Sequence, residues 1–143
     1  VIMLKSLHHV PVDLMQQSMR EIHRVLRVGG LAYISEPVYA GDFNQILRLF
    51  NNEKKVRQAA FDTLGEAVST GLFELADEVF FQSRSQFLDF AEFEQRMLFP
   101  SHSDHEIDAK LHEQIRAAFM PHLTTEGAEF INPQRVDLLR KQG

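Results

Sequence analysis

The chain opens on a continuous apolar run, Val1 to Leu4, the pattern of a strand buried on both faces, as in a parallel sheet. Met15, Met19, Ile22 and Leu26 then recur at helical spacing behind a capping pair, Asp13 and Gln16, and Gly29 suits the left-handed position that ends a helix. Leu31 to Ser35 returns to strand pattern. Two short strands joined by one helix make a right-handed βαβ unit the economical reading.

After Pro37 the pattern turns helical. Asp42 and Gln45 form a second capping pair, and Ile46, Phe50, Ala60, Leu64 and Val68 supply an apolar face as far as Gly71, with Asn51-Asn52 expected to divide it into two helices. Phe73, Leu75, Val79 and Phe81 alternate as a third strand, with Asp77 as the polar intruder. Asp89 and Glu92 cap a short helix, with Leu88 and Phe93 spaced for a hydrophobic staple. Ser103 with Glu106 opens a further helix carrying Ile107, Leu111, Ile115 and Phe119, which Pro121 ends. The tail from Ala128 to Lys141 sets Val136 and Leu138 against Arg135, Asp137 and Arg140 and reads as a last strand. No repeat, low-complexity tract or linker interrupts this α/β order.

Two local patterns carry a family resemblance. One is Leu7-His8-His9-Val10 after the first apolar run. The other is Arg20-Glu21-Ile22-His23-Arg24-Val25-Leu26-Arg27-Val28-Gly29-Gly30 leading into Leu31-Ala32-Tyr33-Ile34-Ser35-Glu36. Over residues 1–37 the chain resembles the middle of a class I S-adenosylmethionine-dependent methyltransferase; over residues 40–143 the resemblance is topological. It implies the C-terminal half of that Rossmann-like sheet, family strands four to seven, with helices on both faces and the last strand antiparallel between the fifth and sixth. Residues 1–143 would form a partial methyltransferase domain, with 1–37 as its strand-helix-strand core unit and 86–123 as a small helical cap. The family usually has proline where this chain has Val28, a change in loop stiffness. The glycine-rich strand-loop-helix that holds the cofactor in the family is not found, since the sequence has no G-x-G-x-x-G turn. Gly29-Gly30 follow a helix and precede a strand, the reverse of a phosphate-binding turn.

Composition narrows the options. At 143 residues, 44% hydrophobic and 24% charged, the chain has the make-up of an ordinary globular domain. A net charge of −5 argues against a general nucleic-acid binder. No apolar run approaches the roughly 20 residues that span a bilayer, and Val1-Ile2-Met3-Leu4 has neither the length nor the basic flank of a signal peptide. The absence of cysteine removes disulfides, thiolate metal sites and a cysteine nucleophile, and fits a cytoplasmic location.

In open α/β sheets ligands sit beyond the carboxyl ends of the strands. By the resemblance, Leu4, Lys5 and Ser6 after the first strand lie beside the methionine part of the cofactor. His8 and His9 follow, and either one is a general base toward substrate or both stitch the loop to the next helix. Glu36 either orients a substrate hydroxyl or amine, or is a solvated strand end. Tyr39 is a substrate-pocket or packing residue. The phenylalanines from Phe87 to Phe99, Phe87 and Phe90 among them, line an apolar substrate pocket or belong to the core. His102, His105 and His112 lack the cysteines or converging carboxylates of a zinc site and are expected to bind no metal. Glu53-Lys54-Lys55-Val56-Arg57 reads as an exposed helix face.

The leading expectation is therefore a methyltransferase of a small-molecule acceptor, represented by its substrate-side half, binding S-adenosylmethionine weakly or not at all by itself. A non-catalytic truncated or assembly module of the same origin is the alternative, and a regulatory α/β domain without ligand a third. Val1–Leu4 would be a central strand in a complete family sheet; with its outer edge open it becomes a template for another chain, and a homodimer covering that side is expected.

Overall fold

The computed structural model describes residues 1–99 and 106–143. In chain order the elements are β1 (Ile2–Leu4), α1 (Val12–Val25), β2 (Leu31–Pro37), α2 (Asp42–Leu47), α3 (Lys54–Ser69), β3 (Glu74–Phe87), α4 (Phe90–Phe93), α5 (Ala109–Phe119), β4 (Leu123–Thr124) and β5 (Gly127–Arg140). The five strands form one sheet in the order β1-β2-β5-β3, with the two residues of β4 paired to β5. β1 and β2 are parallel, whereas β2 and β5 are antiparallel over the whole of β2, from Leu31 opposite Arg140 to Pro37 opposite Gln134. The expected last strand is thus present, and it lies between β2 and β3. The chain divides into two units: Val1–Tyr39, Lys54–Phe81 and Pro133–Gly143 form the first, Ala40–Glu53 and Gln82–Asn132 the second.

In the first unit Met15, Met19 and Ile22 of α1 and Ala60, Leu64 and Ala67 of α3 close over Ala32 and Ile34 of β2, with Leu7, Phe73 and Leu139 completing the core. Both helices serve one face of the sheet, so the helices expected on two faces are not supplied by this unit. β1 also departs from expectation. It pairs only with β2 among the described strands, and Ile2 and Leu4 are 72% and 60% exposed, because only Met3 turns toward the core. The run reads as a strand buried on both faces, but only the Met3 face is covered.

Helix ends differ in detail. α1 is capped by Pro11 and α2 by Gly41, neither with a side-chain hydrogen bond, and Asp13 and Asp42 sit inside the first turn, where a carboxylate still favours the helix dipole. Gly29 does adopt positive φ, but as the third residue of the turn Arg27–Gly30, beyond the helix end. The carboxyl end of α1 is instead satisfied by Lys141, whose Nζ donates to the carbonyls of His23 and Leu26 at 2.8 and 2.9 Å.

The second unit is built on phenylalanine. Phe87, Phe90, Phe93, Phe119 and Phe130 pack with Ile46, Leu98 and Ile115, and the ring of Phe93 lies 5.0 Å from Phe119 and 5.2 Å from Phe87. Asp89 caps α4 by accepting from the Glu92 amide at 2.9 Å, while Glu92 accepts from the amide of Leu88 at 2.6 Å, so the capping pair is formed. The staple is not: Leu88 is 78% exposed, and Phe93 finds its contacts among the other rings. α4 runs into a π-helical turn, Glu94–Leu98, which periodicity did not indicate. Asp108, accepting from the Leu111 amide at 2.7 Å, caps α5; the expected cap Ser103 lies outside the described residues. β3 runs six residues past Phe81, and β4 was not expected.

Candidate functional site

Side-chain alternation along β2 puts Ala32, Ile34 and Glu36 on one face, two apolar residues and then a carboxylate. Glu36 is 0% exposed, which removes the solvated strand-end reading. Among the described residues its partners come from the segment after β1. Oε1 accepts from the backbone amides of Ser6 and Leu7 at 3.0 and 2.7 Å, and Oε2 bonds to Nδ1 of His8. A buried carboxylate needs such donors, and three consecutive residues supply them.

The local chain is shaped to do so. The Lys5 amide donates to the Ser35 carbonyl at 2.7 Å, extending the β1–β2 ladder by one rung. Lys5 then takes φ 51°, in the left-handed region, and turns the chain. The hydroxyl of Ser6 donates to the Leu4 carbonyl at 2.7 Å, and Leu7–His9 closes as a single 3-10 turn with Leu7 fully buried. His8 is 5% exposed; His9 is exposed, its ring centroid 4.1 Å from that of His8. A carboxylate oxygen accepts, so Nδ1 is assigned as the donor in this contact.

Leu4, Lys5, Ser6, His8, His9 and Glu36 are therefore gathered at the carboxyl ends of β1 and β2. Tyr39 belongs to the same unit, three residues past Glu36, and borders a cavity of about 250 Å³ with Val38, Lys54, Arg57, Gln58 and Phe61. Phe87 and Phe90 belong to the second unit. Both are core, and Phe87 also borders a cleft with Gln86, Leu88, Glu92, Glu126, Ala128 and Glu129. His112 bonds through Nε2 to Glu94, and its ring meets Phe90 edge-on at 5.6 Å; His102 and His105 lie outside the described residues.

Two arginines were missed. Arg57, expected on a solvated face, is 7% exposed, since it shares the stripe of Ala60, Leu64 and Ala67. That placement on an apolar stripe was the available signal. Arg135 makes two bonds to Asp137, at 2.9 and 2.6 Å, meets Glu78 at 2.9 Å, and lies 4.9 Å over the ring of Phe61. Burial pulls this guanidinium down, yet the hydrogen bond and charge of Asp137, together with Glu78, outweigh it and hold it above its ordinary value. Arg135 is a permanent cation.

No protein-family model matches the sequence, and a search of curated proteins finds no match. The solved structures give a fold. The chain is similar to the crystal structure of a "putative methyltransferase" from Bacillus halodurans C-125, with a TM-score of 0.58 and 16% identity. The match covers 100% of this chain and 64% of the other, so the chain spans less than two thirds of that structure. The fold is methyltransferase-like, a mixed α/β arrangement around a five-stranded sheet.

Proposed function

We propose that the chain is the substrate-side, C-terminal half of an S-adenosylmethionine-dependent methyltransferase of a small molecule, and not a self-sufficient catalyst. The observation that carries this reading is the position of β5, antiparallel to β2 and inserted between β2 and β3. With β1, β2 and β3 taken as family strands four, five and six, β5 takes the place of the seventh. The likeness to the Bacillus halodurans structure supports the same reading.

The residues present fit one wall of a cofactor site. Leu4 and Lys5 are exposed where β1 ends, and the Lys5 ammonium has the sign that a cofactor carboxylate needs. The amides of Ser6 and Leu7 are committed to Glu36, so they offer a ligand nothing. When bound, the cofactor supplies an electrophilic methyl group on a sulfonium. The chain's own part is positioning and proton transfer. Glu36 fixes the loop and the His8 ring, and with three donors on its two oxygens it positions and does not act as base. His8 is the residue that takes the proton an acceptor hydroxyl or amine loses, and His9 stands at the exposed rim.

The committed amides favour a second reading, a non-catalytic module of methyltransferase origin. Titration of 15N-labelled protein with S-adenosylmethionine tests the first. The expected result is shifts at the Lys5 and Ser6 amides with a Kd of about 1 mM, equivalent to about −4 kcal/mol, because one wall alone binds weakly. Resonances at residues 4–6 that stay fixed throughout would overturn the cofactor assignment and leave the non-catalytic module.

A further inference from the structure

We propose that the outer edge of β3 is a self-recognition surface, on which β3 of a second copy of the chain pairs antiparallel about a two-fold axis at Phe80. β3 ends the sheet order β1-β2-β5-β3, and no described strand pairs with its outer side. The strand runs from Glu74 to Phe87 and holds neither proline nor lysine, two residues that commonly guard such an edge. Val79, Phe80 and Phe81 are consecutive and all exposed, Phe80 at 63%. Alternation places Phe80 on one face and Val79 with Phe81 on the other, so both faces are apolar where the edge is open.

Charge identifies the occupant. The half of β3 before Phe80 carries Glu74, Asp77 and Glu78 and no cation; the half after it carries Arg84 and no carboxylate. A parallel copy in register would set carboxylate on carboxylate. An antiparallel copy sets the acidic half against the basic one. A two-fold axis normal to the sheet keeps every residue on its own face, so it passes through a residue position. With Phe80 on the axis, Phe80 meets its counterpart, and Val79 meets Phe81 of the second copy and the reverse. Aromatic–aromatic and aromatic–β-branched pairs are favourable across strands. Moving the axis one residue either way sets Phe80 against Gln82 or Glu78 and loses these pairs.

The flanks agree with the centre. In the same register Asp77 opposes Ser83, Glu78 opposes Gln82 and Glu74 opposes Gln86, so no carboxylate faces another. Arg84 opposes Ala76, whose neighbours on that face are Glu74 and Glu78, both within diagonal reach of a long side chain. Within its own chain Arg84 meets Glu129 only at 3.8 Å and exposed to solvent, a contact of little worth to give up or share. The strand is thus complementary to its own reverse.

The test is oxidative cross-linking of the full chain carrying one introduced cysteine, which reads only its own counterpart because the sequence has no other. Directly opposed residues of antiparallel strands have Cα atoms about 4.5–5.5 Å apart, within reach of a disulfide. Phe80→Cys should give a covalent dimer under a mild oxidant. Gln82→Cys should not, since its counterpart lies four residues along the ladder, roughly 14 Å away. Phe80→Lys should weaken self-association in sedimentation by about tenfold or more, because it removes two rings from burial and sets like charges opposite each other. Phe80 is exposed, so these changes leave the core alone. A contact through β1, at the other end of the sheet order, would keep the two positions 80 apart and give no cross-link there. A monomeric parent protein, no cross-link at position 80, cross-linking at 82 as fast as at 80, or a Phe80→Lys protein that associates like its parent would overturn the proposal.

Discussion

Glu36→Gln is the most searching substitution in this protein. Glutamine keeps the shape of the side chain and an oxygen for the amides of Ser6 and Leu7, but it removes the charge and presents an NH2 group where Oε2 now receives His8 Nδ1. Hydrogen bonds to a charged group contribute about 1.5–3 kcal/mol each and neutral ones about 1, so two bonds weaken by roughly 1 kcal/mol each. The third becomes donor against donor. His8 then either loses its partner or moves its proton to Nε2, so that Nδ1 can accept. The total is about 2–4 kcal/mol, large against the stability of a domain. With a urea slope of about 1–3 kcal/mol/M, the unfolding midpoint should fall by roughly 1–2 M. The 15N shifts of the His8 ring should exchange their protonated and unprotonated signatures, and the Ser6 and Leu7 amides should exchange faster with solvent. A glutamine variant with an unaltered midpoint and unaltered His8 ring shifts would refute the account of Glu36 as the anchor of the loop.

Two further outcomes follow from the same geometry. Gly127→Ala should destabilise by more than about 2 kcal/mol in urea unfolding, because the residue has φ 98° and a Cβ there would sit 2.5 Å from the Phe87 carbonyl oxygen; a variant with the parent midpoint would show that the β4–β5 turn is not placed as described. We also propose that a second copy of the chain covers the open edge of β1, where Ile2 and Leu4 are exposed. Ile2→Lys should shift sedimentation at micromolar concentration toward the 16.5 kDa monomer, and a parent protein that already sediments as a monomer sinks the proposal.

The parts of the fold legible in the sequence are those where one physical signal acts alone. The helical stripe of Met15, Met19 and Ile22, the break at Asn51-Asn52 and the Asp89/Glu92 cap all form as their local chemistry requires. Local signals failed where tertiary surroundings decide. Ile2 and Leu4 look the same whether one face of their strand is covered or both are, and only the packed structure leaves them exposed. Leu88 has the spacing for a staple, but the ring cluster gives Phe93 enough partners without it. Ser6 and Leu7 carry no mark of the carboxylate that binds their amides, since it lies about thirty positions away in sequence.

The site was legible to the same extent and hidden for the same reason. His8, His9 and Glu36 were marked by their position after strands, and the structure brings them together, yet nothing local told a buried Glu36 from a solvated one. The signal that was present lay in pattern violation. Glu36 continues the buried face of Ala32 and Ile34, Arg57 continues the stripe of Ala60, Leu64 and Ala67, and Asp137 continues the face of Leu139. Each is a charged residue where periodicity demands an apolar one, and each is buried. A buried charge without partners costs several kcal/mol, so such a residue survives only where other groups converge on it. Amides and an imidazole converge on Glu36, a guanidinium on Asp137, and the Val38 carbonyl and two aromatic rings border the cavity with Arg57. Charged residues that break an apolar period thus locate the candidate chemistry of this chain more sharply than its histidine pair does, because the energy of burial forces a constellation around them.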